Sequence, residues 1–340
     1  MFLNELSPIS GVSGDEKRVR EFIKKTIKDK VDELYEDKIG NLIALKKSKF
    51  SSTKGKFAFF AHMDEVGFMV TKINEDGKLS IQPIGGVDPR LLPGKRLRIG
   101  DKNILGVIGF KAIHLQENKT DVPKYQNLSV DIGMGKKSEA EKLVNVGDYA
   151  VFDVPFEEYD SHLIGKAFDD RGGCSLMMDL IFENLALPFD VYFAFVVQEE
   201  VGLRGSGIAA EEIKPDVAIV LETTTAGDNP ELEEYRWATH IGDGPAITFM
   251  HRGYVVNKKV YDWIINTAER KNVKYQYKRR TAGGTDALSI AKRLSGIPAG
   301  VISIPCRYIH GPSSVMFKDD YHITLKLLKV LLEEGEVILS

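Results

Sequence analysis

Four short apolar runs in this chain each lead into residues that could hold a metal ion or move a proton. Phe57–Ala61 runs into His62-Met63-Asp64-Glu65, Val191–Val197 into Gln198-Glu199-Glu200, and Val217–Leu221 into Glu222, while Ala299–Ile304 is followed by Arg307-Tyr308-Ile309-His310. A fifth cluster, Ala167-Phe168-Asp169-Asp170-Arg171, stands just before a helical pattern. Singly, each has a plain explanation: a surface histidine, a solvated Glu pair, an aspartate capping a helix. Together they bring two imidazoles and several carboxylates to one rim, a mixed nitrogen and oxygen donor set suited to zinc, cobalt or manganese. One carboxylate shared between two half-sites, with a histidine and an acid completing each, would form a two-metal hydrolytic centre about 3.5–4 Å across.

Such convergence requires the runs to be neighbouring strands. Continuous apolar stretches of this length fit strands covered on both faces of a mainly parallel sheet. Helical patterns lie among them at Gly172–Leu185, Asn257–Lys271, Thr285–Leu294 and Asp320–Glu334, so the expected fold is a three-layer α/β/α domain. Ligands of open α/β sheets bind beyond the carboxyl ends of the strands, where the candidate residues fall. Near the N-terminus, Ser13 and Glu16 have capping-box spacing ahead of Val19, Phe22, Ile23 and Ile27, an amphipathic helix.

From Phe68 to Gly165 the texture changes to short alternating segments punctuated by Asp76-Gly77, Gly85-Gly86, Pro93-Gly94, Gly100-Asp101 and Gly147-Asp148, with one short helical stretch at Ser138–Leu143. That pattern predicts a small β-barrel. The organisation expected is a discontinuous catalytic domain, residues 1–67 and 165–340, interrupted by a barrel insertion at 68–164.

Composition excludes several classes. Lys and Arg number 46 against 49 Asp and Glu, a net charge of −3, so no basic field is offered to nucleic acid. No apolar run approaches the roughly 20 residues of a membrane span, and the N-terminal stretch lacks the order of a secretory signal. The 2 cysteines, Cys174 and Cys306, make no disulfide framework, and the expected compartment is the cytoplasm. Gly-x-Gly-x-x-Gly after a strand, a Walker loop and a Gly-x-Ser-x-Gly elbow are all missing. His114 reads as a structural residue of the insertion, and His162, His240, His251 and His322 as surface or packing residues.

Five motifs, in order, resemble those of the M42 metallo-aminopeptidases, which include the tetrahedral self-compartmentalising aminopeptidases and glutamyl aminopeptidases. They are His62-Met63-Asp64-Glu65-Val66-Gly67, Lys166-Ala167-Phe168-Asp169-Asp170-Arg171, Gln198-Glu199-Glu200-Val201-Gly202, Gly283-Gly284-Thr285-Asp286-Ala287 and Arg307-Tyr308-Ile309-His310. The resemblance implies a hydrolase that removes N-terminal residues from peptides with two divalent ions, zinc or cobalt, per subunit. It also implies homo-oligomers, with dimers as building blocks and a tetrahedral dodecamer as the end state. By residue, it implies that Asp169 bridges the metals, that His62 and Glu222 complete one site, and that Glu200 and His310 complete the other. Glu199 would be the general base toward the metal-bridging water, and Asp64 would orient the His62 ring. One position departs from the family pattern: Glu222 stands where Asp is usual, in a register fixed by Ala226-Gly227-Asp228. Gly283-Gly284-Thr285-Asp286, in itself a turn with Thr285 capping a helix, would lie beside the active site.

Two rival readings remain. An endoglucanase-type glycosidase would need two free carboxyl groups, whereas here most acids would be engaged by metal. A catalytically impaired binding protein would account for Glu222 but has no need of Glu199.

Overall fold

The computed structural model describes residues 1–50, 53–110, 122–229 and 232–339, so His114 lies outside the described residues. The four apolar runs form the centre of an 11-stranded mixed sheet. They are the strands Asp190–Val196, Lys56–His62, Val217–Thr225 and Ala299–Arg307, adjacent in that order and parallel throughout. Two antiparallel strands, Leu42–Lys46 and Glu33–Glu36, extend one side. Ser314–Phe317, His162–Gly165 and Glu157–Glu158 extend the other.

Parallel pairing places the carboxyl ends of the central strands on a common edge. Register then sets their height, with Val196 opposite His62 and Glu222 opposite Ser303. Successive side chains of a strand face opposite sides. Phe57, Phe59 and Ala61 accordingly pack with Met177, Val260, Ile264 and Leu328, from the helices Phe168–Glu183, Lys258–Arg270 and Lys318–Glu333. Ala58, Phe60, Ala194 and Val196 face the other way, toward Ala209, Ala210 and Ile290 of the helices Arg204–Ile213 and Ala287–Ala291. Both faces of the sheet are covered, which is why these strands read as unbroken apolar sequence. Full burial of a Phe on either face contributes on the order of 1.5–3 kcal/mol.

Between His62 and Glu157 the chain builds a closed six-stranded barrel from Gly67–Ile73, Leu79–Ile84, Arg96–Ile99, Ile104–Ile108, Ser129–Asp131 and Tyr149–Phe152. It has its own core around Phe68, Val70, Leu97, Ile99, Val130 and Phe152, and Phe68 meets Phe152 edge to face at 5.5 Å. The helical stretch expected at Ser138–Leu143 is a single turn, Lys137–Ala140. Among the described residues, no helix is long and apolar enough to cross a membrane.

Two helix starts differ from expectation. The first amphipathic helix, Lys17–Ile27, buries Val19, Ile23 and Ile27, yet no side chain caps it. Ser13 donates to the buried Asp64 carboxylate instead, and Glu16 accepts from the Gly14 and Gln198 amides. A buried carboxylate and buried strand-end amides cost more to leave unpaired than a helix end that water can reach. The helix expected from Thr285 is shortened to Ala287–Ala291, although the Thr285 hydroxyl does accept from the Ala287 amide at 3.3 Å.

Candidate metal centre

His62 is the last residue of its strand, and Glu199 and Glu200 follow the strand beside it. Glu222 sits near the carboxyl end of Val217–Thr225, and His310 lies three residues past Arg307 in a left-handed turn, φ 59°. Asp169 and Asp170 precede the regular part of the Phe168–Glu183 helix, with non-helical backbone angles at both. Asp170 fills the plain capping role, its Oδ1 accepting from the Gly173 amide at 2.9 Å, while its Oδ2 accepts from the His62 amide at 3.3 Å.

Asp169 is thereby left to face the rim. Its Oδ1 lies 3.4 Å from His62 Nε2 and its Oδ2 lies 3.4 Å from His310 Nε2. On the His62 side Glu222 Oε2 is 3.8 Å from the same Nε2; on the His310 side Glu200 Oε1 is 3.3 Å from that ring's Nε2. Ligand atoms of Asp169, Glu200 and His310 all lie within 4.8 Å of one another, as do those of His62, Glu199 and Glu200, and those of His62, Asp170 and Glu222. Five of the residues singled out in the sequence, His62, Asp169, Glu200, Glu222 and His310, thus gather at one place, with Glu199 beside them.

Both imidazoles are held in the same sense. His62 Nδ1 meets the Asp64 carbonyl at 3.0 Å, and His310 Nδ1 meets the Gly86 carbonyl of the barrel side at 2.9 Å. A ring that donates from Nδ1 keeps the Nε2 lone pair free for a cation. The Asp64 carboxylate lies farther from the His62 ring, at 3.5 Å, and accepts from the Glu199 amide at 3.0 Å and the Glu200 amide at 3.1 Å.

The electrostatics call for positive charge. Burial pushes the Glu222 carboxyl well above its usual range, and the Asp170 and Glu199 charges push it further. Burial raises Glu199 likewise and takes Glu200 up to about 7, each eased by a nearby imidazole. Burial would lower His310, but the hydrogen bond with Asp169 and the Glu200 charge carry it up to about 9. Asp169 is driven up by burial and down by the two imidazoles, which win and hold it well below the ordinary carboxylate range. Two atoms decide whether cations fit. Asp169 Oδ1 and Glu222 Oε1 are buried with no hydrogen-bond partner among the described residues. An unsatisfied buried oxygen costs about 1–3 kcal/mol, and more when charged. A divalent cation between these oxygens and the imidazoles would satisfy both, so the donor set fits the metals that the resemblance implies.

A cavity of about 810 Å³ opens over the cluster. Arg236, Lys278 and Arg280 line it, Lys278 near enough to Glu222 and Asp169 to feel their charges, and Gly283, Gly284 and Thr285 line it as well. Lys278 is only 9% exposed, and its ammonium has no hydrogen-bond or ion-pair partner among the described residues. These cations escaped the sequence reading because Lys278-Arg279-Arg280 looks like an ordinary solvated basic run. The available signal was alternation, since Arg279 turns outward to Glu234 while its neighbours face the cavity. His251 is buried, its Nε2 3.0 Å from the Thr285 hydroxyl.

The chain resembles known proteins over nearly its whole length. The family model described as M42 glutamyl aminopeptidase matches residues 40–327. A Thermotoga maritima structure named endoglucanase is 49% identical, with all of both chains covered and a TM-score of 0.84. An aminopeptidase from Desulfurococcus kamchatkensis is 36% identical over 100% of this chain and 96% of that one, with a TM-score of 0.94. The TET1 peptidase of Pyrococcus horikoshii, described as assembling into a tetrahedron or a large octahedral shell, is 31% identical over 97% of this chain and 98% of that one, with a TM-score of 0.86.

Proposed function

The chain belongs to the M42 peptidase family, and from that premise we propose that it is an aminopeptidase working with two divalent metal ions. His62, Asp169 and Glu222 would hold one ion, and Asp169, Glu200 and His310 the other. The observation that carries this reading is Asp169, which offers one oxygen to each imidazole at the same 3.4 Å. When bound, the ions would supply Lewis acidity, polarising the scissile carbonyl and lowering the pKa of water toward about 7.

Everything else is the work of the chain's own groups. Glu199 takes the proton of the attacking water on a carboxylate oxygen and returns it to the departing amide nitrogen, so that C–N cleavage yields a free amino acid and a shortened peptide. Asp64 fixes Glu199 and Glu200 through their amides. The Leu203 and Leu232 side chains give the cavity an apolar part of its lining. Arg236, Lys278 and Arg280 among the cavity lining would complement a negatively charged side chain, which makes an acidic N-terminal residue the preferred one in this reading.

Endoglucanase chemistry, the name carried by the Thermotoga relative, finds less support. A two-carboxylate glycosidase needs free carboxyl groups about 5–5.5 or 6.5–9.5 Å apart. Asp169 and Glu200 instead lie 3.4 and 3.3 Å from His310. The inserted barrel would serve assembly, as a dimerisation face within a homo-oligomer. Its strand Ile104–Ile108 turns Leu105 and Val107 outward, 52% and 44% exposed. A panel of aminoacyl chromogenic substrates, assayed with zinc, cobalt and manganese separately and with a chelator, tests the proposal. Metal-dependent release from free-amine substrates is expected; chelator-resistant cleavage of a β-glucan without any peptidase activity would overturn it.

A further inference from the structure

The segment that carries Glu199 and Glu200 is held in an unusual way. After the strand Asp190–Val196 ends, four consecutive backbone amides find side-chain oxygens, not carbonyls, as acceptors. Val197 donates to Asn41 Oδ1 at 2.9 Å, and Gln198 donates to Glu16 Oε1 at 3.1 Å. Glu199 and Glu200 donate to the two oxygens of Asp64, at 3.0 and 3.1 Å. Gln198 has a left-handed backbone, φ 58°, a conformation that a non-glycine residue keeps only where its surroundings fix it.

We propose that Glu16, together with Asn41, is a positioning residue of the catalytic segment, setting where the Glu199 and Glu200 carboxylates stand by holding the amides just before them. The proposal rests on the aminopeptidase reading above. The anchors are themselves well fixed. Glu16 is 5% exposed, and its Oε1 also accepts from the Gly14 amide at 2.7 Å, closing a tight local loop. Ser13 donates to Asp64 Oδ2 at 2.6 Å, so one N-terminal stretch reaches both carboxylates of the template. Asn41 is fully buried and donates to Asp37 at 2.7 Å and to the Gly205 carbonyl at 2.9 Å. That stretch is tied beneath the rim in turn, since the Gly11 amide donates to Glu65 and the Glu65 amide to the Gly11 carbonyl. The Ser13 and Glu16 pair therefore has a use that its capping-box spacing did not reveal. Burial pushes the Glu16 carboxyl up to about 7, eased by its backbone hydrogen bonds, yet the Oε1 acceptor persists in either protonation state.

The acceptor atom, not the charge, is what the template needs, and the variants separate the two. Glu16→Gln keeps an oxygen at the same place; Glu16→Ala removes it. With metal present, Glu16→Ala should lower kcat by about 10- to 100-fold, as expected for a misplaced catalytic group, with KM within about twofold. Amide hydrogen exchange at Gln198–Glu200 should accelerate about tenfold or more in that variant. Glu16→Gln should restore both. Asn257→Ala, which removes the cap of the distant Lys258–Arg270 helix, controls for general destabilisation and should leave kcat unchanged. If Glu16→Ala does not fold, Glu16→Met, which fills the space but offers at most a weak sulfur acceptor, replaces it and should give the same signature. Unchanged exchange and kcat in the variant that folds, or an equal kcat loss in Asn257→Ala, would overturn the proposal. If the wild-type protein lacked peptidase activity, the functional reading would fail while the exchange data would still decide the role of Glu16.

Discussion

Glu199 and Glu200 are neighbours with opposite assignments, and exchanging each for its amide should separate them. Both substitutions are nearly isosteric, and both backbone amides are pinned to the same Asp64 carboxylate, so neither change should release the segment. Glu199→Gln removes the group assigned to accept the water's proton. General-base assistance is worth typically 10²–10⁴-fold, or about 2.7–5.4 kcal/mol at 1.36 kcal/mol per tenfold. That variant should therefore fall in kcat by about this factor, with KM and metal content nearly unchanged. Glu200→Gln takes away one of three protein donors around the Asp169–His310 position, where its Oε1 stands 3.3 Å from the His310 ring. Its loss should appear first as weaker metal binding, by more than the roughly 10–100-fold typical of altering a partner outside the ligand set. Activity should return partly with excess metal. Steady-state kinetics on an aminoacyl chromogenic substrate across a metal titration reads both effects. Near-normal kcat in Glu199→Gln, with Glu200→Gln inactive at saturating metal, would refute the assignment.

Lys166, Glu65 and Arg171 form a buried charged cluster under the site, with Lys166 2.6 Å from Glu65. Glu65→Gln should destabilise the fold by about 3–5 kcal/mol, since it strands buried cations, and chemical denaturation checks this. Burial lowers Lys166 from 10.5 to about 8, against the pull of Glu65. The unfolded chain therefore keeps that proton to higher pH than the native one, and stability should rise between about pH 8 and 10.5, by about 3 kcal/mol in all. Melting curves across that window should show the rise, and Lys166→Met should flatten it. Lys278→Met should lower kcat/KM for a glutamyl substrate by about 10- to 150-fold, the worth of a charged hydrogen bond, while sparing a leucyl substrate. Equal losses on both would remove Lys278 from specificity. Light scattering with metal present should show a dimer or larger assembly, and charged residues at Leu105 and Val107 should dissociate it.

How much of this was legible in the sequence depends on how far apart the partners lie. The four central strands announced themselves because a strand buried on both faces needs no polar residue until it leaves the sheet. His62, Glu200 and Glu222 were then visible among the first polar groups at those exits. The barrel was legible from its turn residues, each of which acts locally. Glu16 was misread because its acceptor role depends on Gln198, 182 residues away, while its capping-box spacing to Ser13 is local. Residue chemistry alone did not separate Asp169 from Asp170, and only the family resemblance singled out Asp169; a backbone turn decides which one caps the helix and which faces the rim. Lys278 was hidden inside a basic run whose middle member points to solvent.

The shared ligand is the centre of the account, and metal stoichiometry tests it most directly. Metal-depleted protein titrated with zinc or cobalt in a calorimeter, with bound metal counted by elemental analysis, should take up two ions per chain. Because Asp169 is assigned to both positions, Asp169→Asn should lose tight binding of both ions together, whereas Glu200→Gln and Glu222→Gln should each weaken one. A wild-type protein that binds a single ion, or an Asp169→Asn variant that still holds one ion with wild-type affinity, would contradict the two-ion centre bridged by Asp169.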